Sequence, residues 1–298
     1  MESSTFNRYL FALIATLMLC PPFSWGATAG LLVDSKSDQA QSFHRHLVQL
    51  VPELTLSLHS VSELSANPQL DRWLTIGPKA LTQLLSAPRI RQPILALFLT
   101  PAAAQTIRAQ FPHREFSLLD NTPSLARQLS LIKVLTPHAK RIAVFYSAAG
   151  KGQLAELDIL ARRLNFKLLT TQLNDPLNWQ RDALKTLKDA DLVLALNDSA
   201  IYNATNIRSI LMRLYRAGKP LVGPGKAYVR AGAVASTYSG VQETLKASAT
   251  LLTSDAHWPA LISNPHFKVR INTQVARSLN IVVGDEEEVG RDIEGVMP

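Results

Sequence analysis

Short runs of consecutive apolar residues alternate along this chain with segments whose apolar side chains recur every three or four positions. The runs Gly30–Val33, Leu54–Leu58, Trp73–Ile76, Ile94–Leu99, Phe116–Leu119 and Arg141–Tyr146 read as strands. Lys167–Thr170, Leu192–Leu196, Pro220–Val222, Ala233–Thr237 and Phe267–Ile271 continue the series. Several of them are apolar at every position, as parallel strands covered on both faces are. Between them, Phe43 and Leu47 share one helix face, and Leu154, Leu157, Ala161 and Leu164 share another. The sets Ile207, Ile210, Leu211, Leu214 and Val241, Leu245, Ala249, Leu252 predict two further amphipathic helices. Strands and helices in this alternation predict an α/β protein built on open, doubly wound sheets.

The order of units also repeats. Leu31-Leu32-Val33-Asp34-Ser35 resembles Ala143-Val144-Phe145-Tyr146-Ser147, and Trp73-Leu74-Thr75-Ile76-Gly77 resembles Leu192-Val193-Leu194-Ala195-Leu196-Asn197. Gln92-Pro93-Ile94-Leu95 likewise resembles Lys219-Pro220-Leu221-Val222. The identities are few, so the repeat is one of units, roughly 110 residues each, and fits two lobes better than one large sheet. Ligands of open α/β sheets bind beyond the carboxyl ends of the strands. If the lobes face one another at those ends, the loops after Val33, Ile76, Leu99, Tyr146, Leu196 and Val222 converge on one cleft.

The first residues follow a different logic. Arg8 precedes the uncharged apolar run Tyr9–Leu19, and the small residues Gly26-Ala27-Thr28-Ala29 follow. That arrangement predicts a secretory signal peptide within residues 1–29, cut after Gly26, Ala27 or Ala29, and a periplasmic product. The run is shorter than the ~20 residues of a permanent membrane helix. Cys20 is the single cysteine. Leu19 stands where a lipoprotein signal carries a small residue, so lipid anchoring at Cys20 is disfavoured. Removal of the peptide leaves no thiol for a disulfide or a metal site.

Composition narrows the classes further. The 298 residues are 47% hydrophobic and 18% charged, an ordinary globular profile. The net charge is +8, but the 31 Lys and Arg are scattered, with no basic run interleaved with aromatics. Nucleic acid is therefore not an expected partner.

Five stretches, taken in order, resemble an ABC-transporter substrate-binding family of type I periplasmic-binding-protein fold, some members of which bind aromatic amino acids. They are Ile76-Gly77-Pro78-Lys79-Ala80, Asp120 to Leu129, Lys140 to Val144, Gly218 to Ala233, and Val269 to Leu279. The resemblance spans nearly all of residues 30–283, and no single motif carries it. It implies two Rossmann-like lobes joined by a three-stranded hinge. Lobe one would comprise residues 30–136 and 233–262, and lobe two residues 137–232 and 265–283. Residues 284–298, opening on Asp285-Glu286-Glu287-Glu288, are expected to be a flexible acidic tail. The implied partners are a small-molecule ligand and the membrane permease of an ABC transporter, with the protein itself a monomer.

Candidate ligand contacts sit at the predicted strand ends. At Thr75-Ile76-Gly77-Pro78, glycine permits close backbone approach and Pro78 suits the first helical position, so the following amides form an anion site or simply a tight turn. The resemblance favours the ligand reading. Asn197 and Asp198 offer an amide and a carboxylate at the matching place in lobe two, for a ligand ammonium or hydroxyl, or for helix capping. Ser35, Ser147 and Thr100 present the same two alternatives. Lys226, after the Gly223-Pro224-Gly225 turn, either reaches the cleft or remains solvated. Tyr238 is either a stacking wall or core.

Enzymatic signatures are missing. Gly223-Pro224-Gly225-Lys226 lacks phosphate-loop spacing, and there is no G-x-G-x-x-G after the first strand, no G-x-S-x-G elbow and no H-E-x-x-H pair. His44 and His46, two apart on a predicted helix, do not face one another and make a poor metal pair. No cofactor is expected. The sequence therefore predicts a solute receptor for an importer; a sensory module signalling to a membrane receptor uses the same fold and is the alternative.

Overall fold

In the computed structural model, the described residues are 27–64, 70–173 and 179–298. The predicted signal peptide lies outside them except for residues 27–29, and Thr28 and Ala29 already belong to the first strand.

Lobe one begins with β1 (Thr28–Val33), α1 (Asp38–Leu50), β2 (Thr55–Ser60), β3 (Arg72–Ile76) and α2 (Gly77–Ser86). It continues with β4 (Ile94–Leu97), α3 (Pro101–Gln110) and β5 (Ser117–Asp120). Next come α4 (Leu125–Leu135), β6 (Arg141–Tyr146), α5 (Leu154–Arg163), β7 (Lys167–Gln172), α6 (Trp179–Asp189) and β8 (Leu192–Leu194). The chain goes on through α7 (Ile207–Arg216), β9 (Leu221–Val222), α8 (Lys226–Ala231), β10 (Ala235–Tyr238) and α9 (Val241–Thr253). It ends with β11 (Leu261–Ser263), β12 (Lys268–Ile271), α10 (Thr273–Ser278) and α11 (Glu286–Val296).

Among the described residues the strands form two six-stranded sheets, ordered β11-β5-β4-β3-β1-β2 and β12-β10-β9-β8-β6-β7. The two orders superimpose unit on unit: β1 answers to β6, β3 to β8, and β4 to β9. This is the doubly wound arrangement that the repeat predicted. All pairings within the first sheet are parallel, whereas β12 runs antiparallel to β10. Each sheet is covered on both faces. Leu31 and Val33 of β1 pack under Phe43 and Leu47 of α1, while Leu32 packs on the other side with Leu81 and Leu84 of α2. That two-sided burial is why these strands read as unbroken apolar runs.

The lobes also share a clamp. Asp71, just before β3, accepts from the Thr28 amide at 2.8 Å. Asp191, just before β8, accepts from the amides of Lys140 and Arg141, both at 2.8 Å. In each lobe a carboxylate thus fastens the amino end of the first strand to that of the third.

The structure corrects three expectations. Helix α4, expected in lobe one, packs Leu129, Ile132 and Leu135 into the core of the second sheet with Leu157 and Val144. Strand β10, also expected in lobe one, pairs with β9 and β12 in the second sheet. Helix α9 does return to the first core through Leu245 and Leu252, although Val241, expected on its buried face, is exposed. The helix following the fifth strand is thus exchanged between lobes in both directions, and the chain crosses at 121–124, 239–240 and 264–267. Third, residues 284–298 are no loose tail. Asp285 caps α11, accepting from the Glu287 amide at 2.8 Å, and the three glutamates occupy its first turn, where the helix dipole favours negative charge. Val289 and Ile293 then fill the second core.

Candidate functional site

The three crossings fix which rims meet. The first leaves the first sheet at the carboxyl end of β5, the second leaves the second sheet at the carboxyl end of β10, and the third leaves at the carboxyl end of β11. The third enters β12 at Lys268, which is paired with Tyr238 at the carboxyl end of β10. Every connection therefore joins one carboxyl-end rim to the other, and each is at most a few residues long. The segments are laced together. Asn264 donates to Asn121 at 2.7 Å, Asn121 donates to Thr244 at 2.9 Å, and Ser239 donates to the His266 carbonyl at 2.7 Å.

Two buried polar residues of α4 anchor that hinge to lobe two. Gln128 donates to the Gly223 carbonyl and to Ser236 Oγ, and accepts from Thr237 N and Oγ1, each at 3.1 Å. Arg127 donates to the Asn264 carbonyl at 2.5 Å and lies 4.8 Å over the Phe267 ring. Burial draws its guanidinium below the usual arginine value, and the nearby Glu294 charge opposes the shift. Beside the hinge a cavity of about 240 Å³ is lined by Asp120 at the end of β5, by Thr122 and Ser124 of the first crossing, and from lobe two by Glu156, Asn197 and Pro224.

On the rim of lobe one, Gly77 opens α2 with φ +83°, a left-handed conformation natural to glycine, and a Cβ built there meets nothing within 4 Å. Pro78 is in the first turn, and no side chain caps this helix start. Lys79 pairs with Asp34 at 2.5 Å and ties the turn to the end of β1. Ser35 is exposed two residues beyond β1. Thr100 is the N-cap of α3, its Oγ1 accepting from Ala103 N at 3.2 Å.

On the rim of lobe two, Asp198 is only 4% exposed. It accepts from Ser147 N at 2.6 Å, from Ser147 Oγ at 2.9 Å and from Ala200 N at 3.2 Å. Gly150 must be glycine here, since a Cβ would come within 2.5 Å of Asp198 Oδ2. Ser147 and Asp198 are thus brought together, but turned toward each other and away from solvent, while Asn197 is exposed at the hinge cavity. Below them Tyr202 is fully buried, and burial first, then the Asp198 charge, raises its phenol. Tyr228 donates to the Tyr202 carbonyl at 2.7 Å. Lys226 Nζ lies 5.1 Å over the Tyr238 ring, so these two candidates form one cationic and aromatic unit. Tyr238 belongs to lobe two, as the last residue of β10.

Phe98 was not anticipated. It follows β4 with φ +57°, a strained backbone for a bulky residue, is 39% exposed, and packs edge-on against Phe43 at 5.7 Å. The apolar run Ile94–Leu99 hid it, because a residue turned outward by its backbone has the same letter as one in the core. Elsewhere, His44 and His46 turn to different carbonyls, of Leu56 and Ser42. Among the described residues no group of three or more His, Cys, Asp or Glu converges.

Comparison with known proteins bears on this arrangement. No curated protein sequence matches the chain significantly. A solved ABC domain in complex with L-Trp from Streptococcus pneumonia is similar, with a TM-score of 0.51 at 16% identity, over 90% of this chain and 98% of that one. A ligand-free, open substrate binding protein with adhesive properties from Clostridium difficile gives a TM-score of 0.64 at 13% identity, over 88% and 97%. At these identities the likeness shows a shared fold, the two-lobed architecture of periplasmic binding proteins. The family model for ABC transporter substrate binding proteins matches residues 76–253, more than half of the sequence. The chain belongs to the family of ABC transporter substrate binding proteins.

Proposed function

We propose that this protein is the periplasmic solute-binding component of an importer, exported by a cleaved signal peptide, which captures a small carboxylate-bearing solute, such as an amino acid, between its lobes and delivers it to a membrane permease. The observation that carries the reading is that all three short crossings join the carboxyl-end rims of the two sheets, where doubly wound folds take their ligands. The uncapped start of α2 at Gly77 and Pro78 suits the carboxylate. Lys226 on Tyr238 gives the opposite rim a second positive group with an aromatic face, and Phe98 supplies an apolar wall. Asn197 is the exposed polar group for the remainder of the solute. Ser35 and Thr100 line the rim of lobe one. Ser147 and Asp198 act by holding the rim of lobe two in shape. A ligand that contacts both rims favours the closed arrangement over the open one.

The test is a thermal-shift panel of amino acids, the same acids lacking the α-amino group, and neutral sugars. A rise in midpoint confined to carboxylates supports the reading, and small-angle scattering should then show compaction at saturation. Stabilisation by sugars alone would sink it.

A further inference from the structure

A broad concavity lies away from the cleft. It lies at the far end of lobe one, at the amino ends of β3, β4 and β5, with a volume of about 1040 Å³. Four arginines line it, Arg72, Arg91, Arg108 and Arg114, against two carboxylates, Glu115 and Asp255. Asp255 stands 3.9 Å from Arg72 and is fully exposed, and Glu115 enters no ion pair among the described residues.

Three of the four guanidinium groups are held in place by carbonyl oxygens, and of the four only Arg72 has a carboxylate within ion-pair distance among the described residues. Arg114 donates to the carbonyls of Leu85, Ala87 and Ile90 at 2.8, 3.0 and 2.6 Å. Arg72 donates to those of Leu251, Leu252 and Ser254 at 3.2, 3.0 and 2.6 Å, and lies over Trp258 at 5.3 Å. Arg108 donates to the Ala260 carbonyl at 2.6 Å and stacks on Phe116 at 4.5 Å. Helix-end carbonyls attract cations, which accounts for Arg72 and Arg114. They do not account for Arg91, whose side chain makes no hydrogen bond or ion pair among the described residues. Burial, and then the charge of Arg91, draws Arg114 below the usual arginine value, so the two guanidiniums sense one another. Like charges gathered in a concave wall await a counter-charge, and the three side chains already ordered, Arg72, Arg108 and Arg114, lose little freedom when it arrives.

We propose that this basin is a second binding site, separate from the cleft, for a phosphate-bearing polyanion. Guanidinium edges match phosphate oxygens two at a time, and several cations facing few carboxylates select more than one negative charge. Phe111, half-buried on the wall, offers apolar surface to an organic portion.

Calorimetric titration of tripolyphosphate into the purified protein at low salt should give one site. Arg91→Glu should weaken it roughly tenfold or more, because it removes one cation and introduces an anion, while leaving the thermal-shift response to the cleft solute unchanged. Arg91→Gln should weaken it less. Sedimentation with phosphatidylcholine vesicles, with and without phosphatidylglycerol, then identifies the source. Binding to the anionic vesicles that Arg91→Glu abolishes assigns a lipid headgroup, and tripolyphosphate binding without vesicle binding assigns a soluble phosphate compound. Wild-type affinity in Arg91→Glu, loss in Lys226→Glu instead, or no binding of either probe would overturn the proposal.

Discussion

Replacing Asp198 with alanine asks whether one carboxylate holds the rim of lobe two together. The group is 4% exposed and accepts from Ser147 N at 2.6 Å, Ser147 Oγ at 2.9 Å and Ala200 N at 3.2 Å. A hydrogen bond to a charged group contributes about 1.5–3 kcal/mol, and bonds sharing an acceptor do not add, so the net loss is about 3 kcal/mol. In a chain of this size that corresponds to a fall in melting midpoint of roughly 6–12 °C. Asp198→Asn keeps the shape but offers a single acceptor. With its oxygen on Ser147 N, its amide nitrogen meets the Ala200 N–H, so about half the loss is expected. Differential scanning calorimetry measures both. Affinity for the cleft solute, taken well below the midpoints, separates the alternatives: a residue that shapes the rim leaves affinity of Asp198→Asn near wild type. A midpoint unchanged in Asp198→Ala, or a large affinity loss in Asp198→Asn without any loss of stability, would refute the reasoning.

Three other outcomes are expected. Hydrogen bonds from the Thr28 amide and hydroxyl hold Asp71 below the usual aspartate value. At Asp191 burial pushes upward, but the amides of Lys140 and Arg141 and the Arg141 guanidinium outweigh it, and it too is lowered. A lowered folded value means stability present above the unfolded value near 3.9 and lost as pH falls through the folded one; acid titration of Asp71→Asn with Asp191→Asn should be flatter than wild type there, and an identical slope would count against both clamps. Ile293→Ala, at a fully buried site of α11, should cost about 3 kcal/mol in urea unfolding, whereas a dispensable tail would cost nothing. Phe98→Ala should weaken solute binding by about 1 kcal/mol, roughly fivefold, and equal affinity would remove Phe98 from the site.

Much of the fold was legible because burial on both faces writes itself into the sequence. The unbroken runs at Trp73–Ile76 and Arg141–Tyr146 mark strands that helices cover above and below, and the helix faces through Ile207, Ile210, Leu211 and Leu214 are buried as spaced. The unit repeat was visible for the same reason, since β1 and β6, β3 and β8, and β4 and β9 meet equivalent environments. Strand β11 was missed: it has three residues on a sheet edge, two of them exposed, too few for any periodicity to register. The acidic run at Glu286–Glu288 suggested solvent, yet the same residues are what a helix start prefers, and Val289 and Ile293 four apart were the signal for it.

The exchange of helices between lobes was out of reach for a more basic reason. Periodicity tells which face of a helix is buried but not which sheet buries it. Leu129, Ile132 and Leu135 would satisfy either core, so chain order alone placed α4 with the strand before it. What decides the matter is polar: among the described residues the Gln128 side chain finds its donors and acceptors at Gly223, Ser236 and Thr237 on the second sheet, and the Arg127 guanidinium finds its acceptor at Asn264 in the third crossing. A buried amide and a buried guanidinium without those partners would cost more than the apolar face gains from one core over the other. The candidate site shares this property. Gly77 was readable from its position after a strand, but the inward turn of Asp198 onto Ser147 and the outward turn of Phe98 are set by contacts between segments far apart in sequence. Those contacts exist only once the two rims have been brought together.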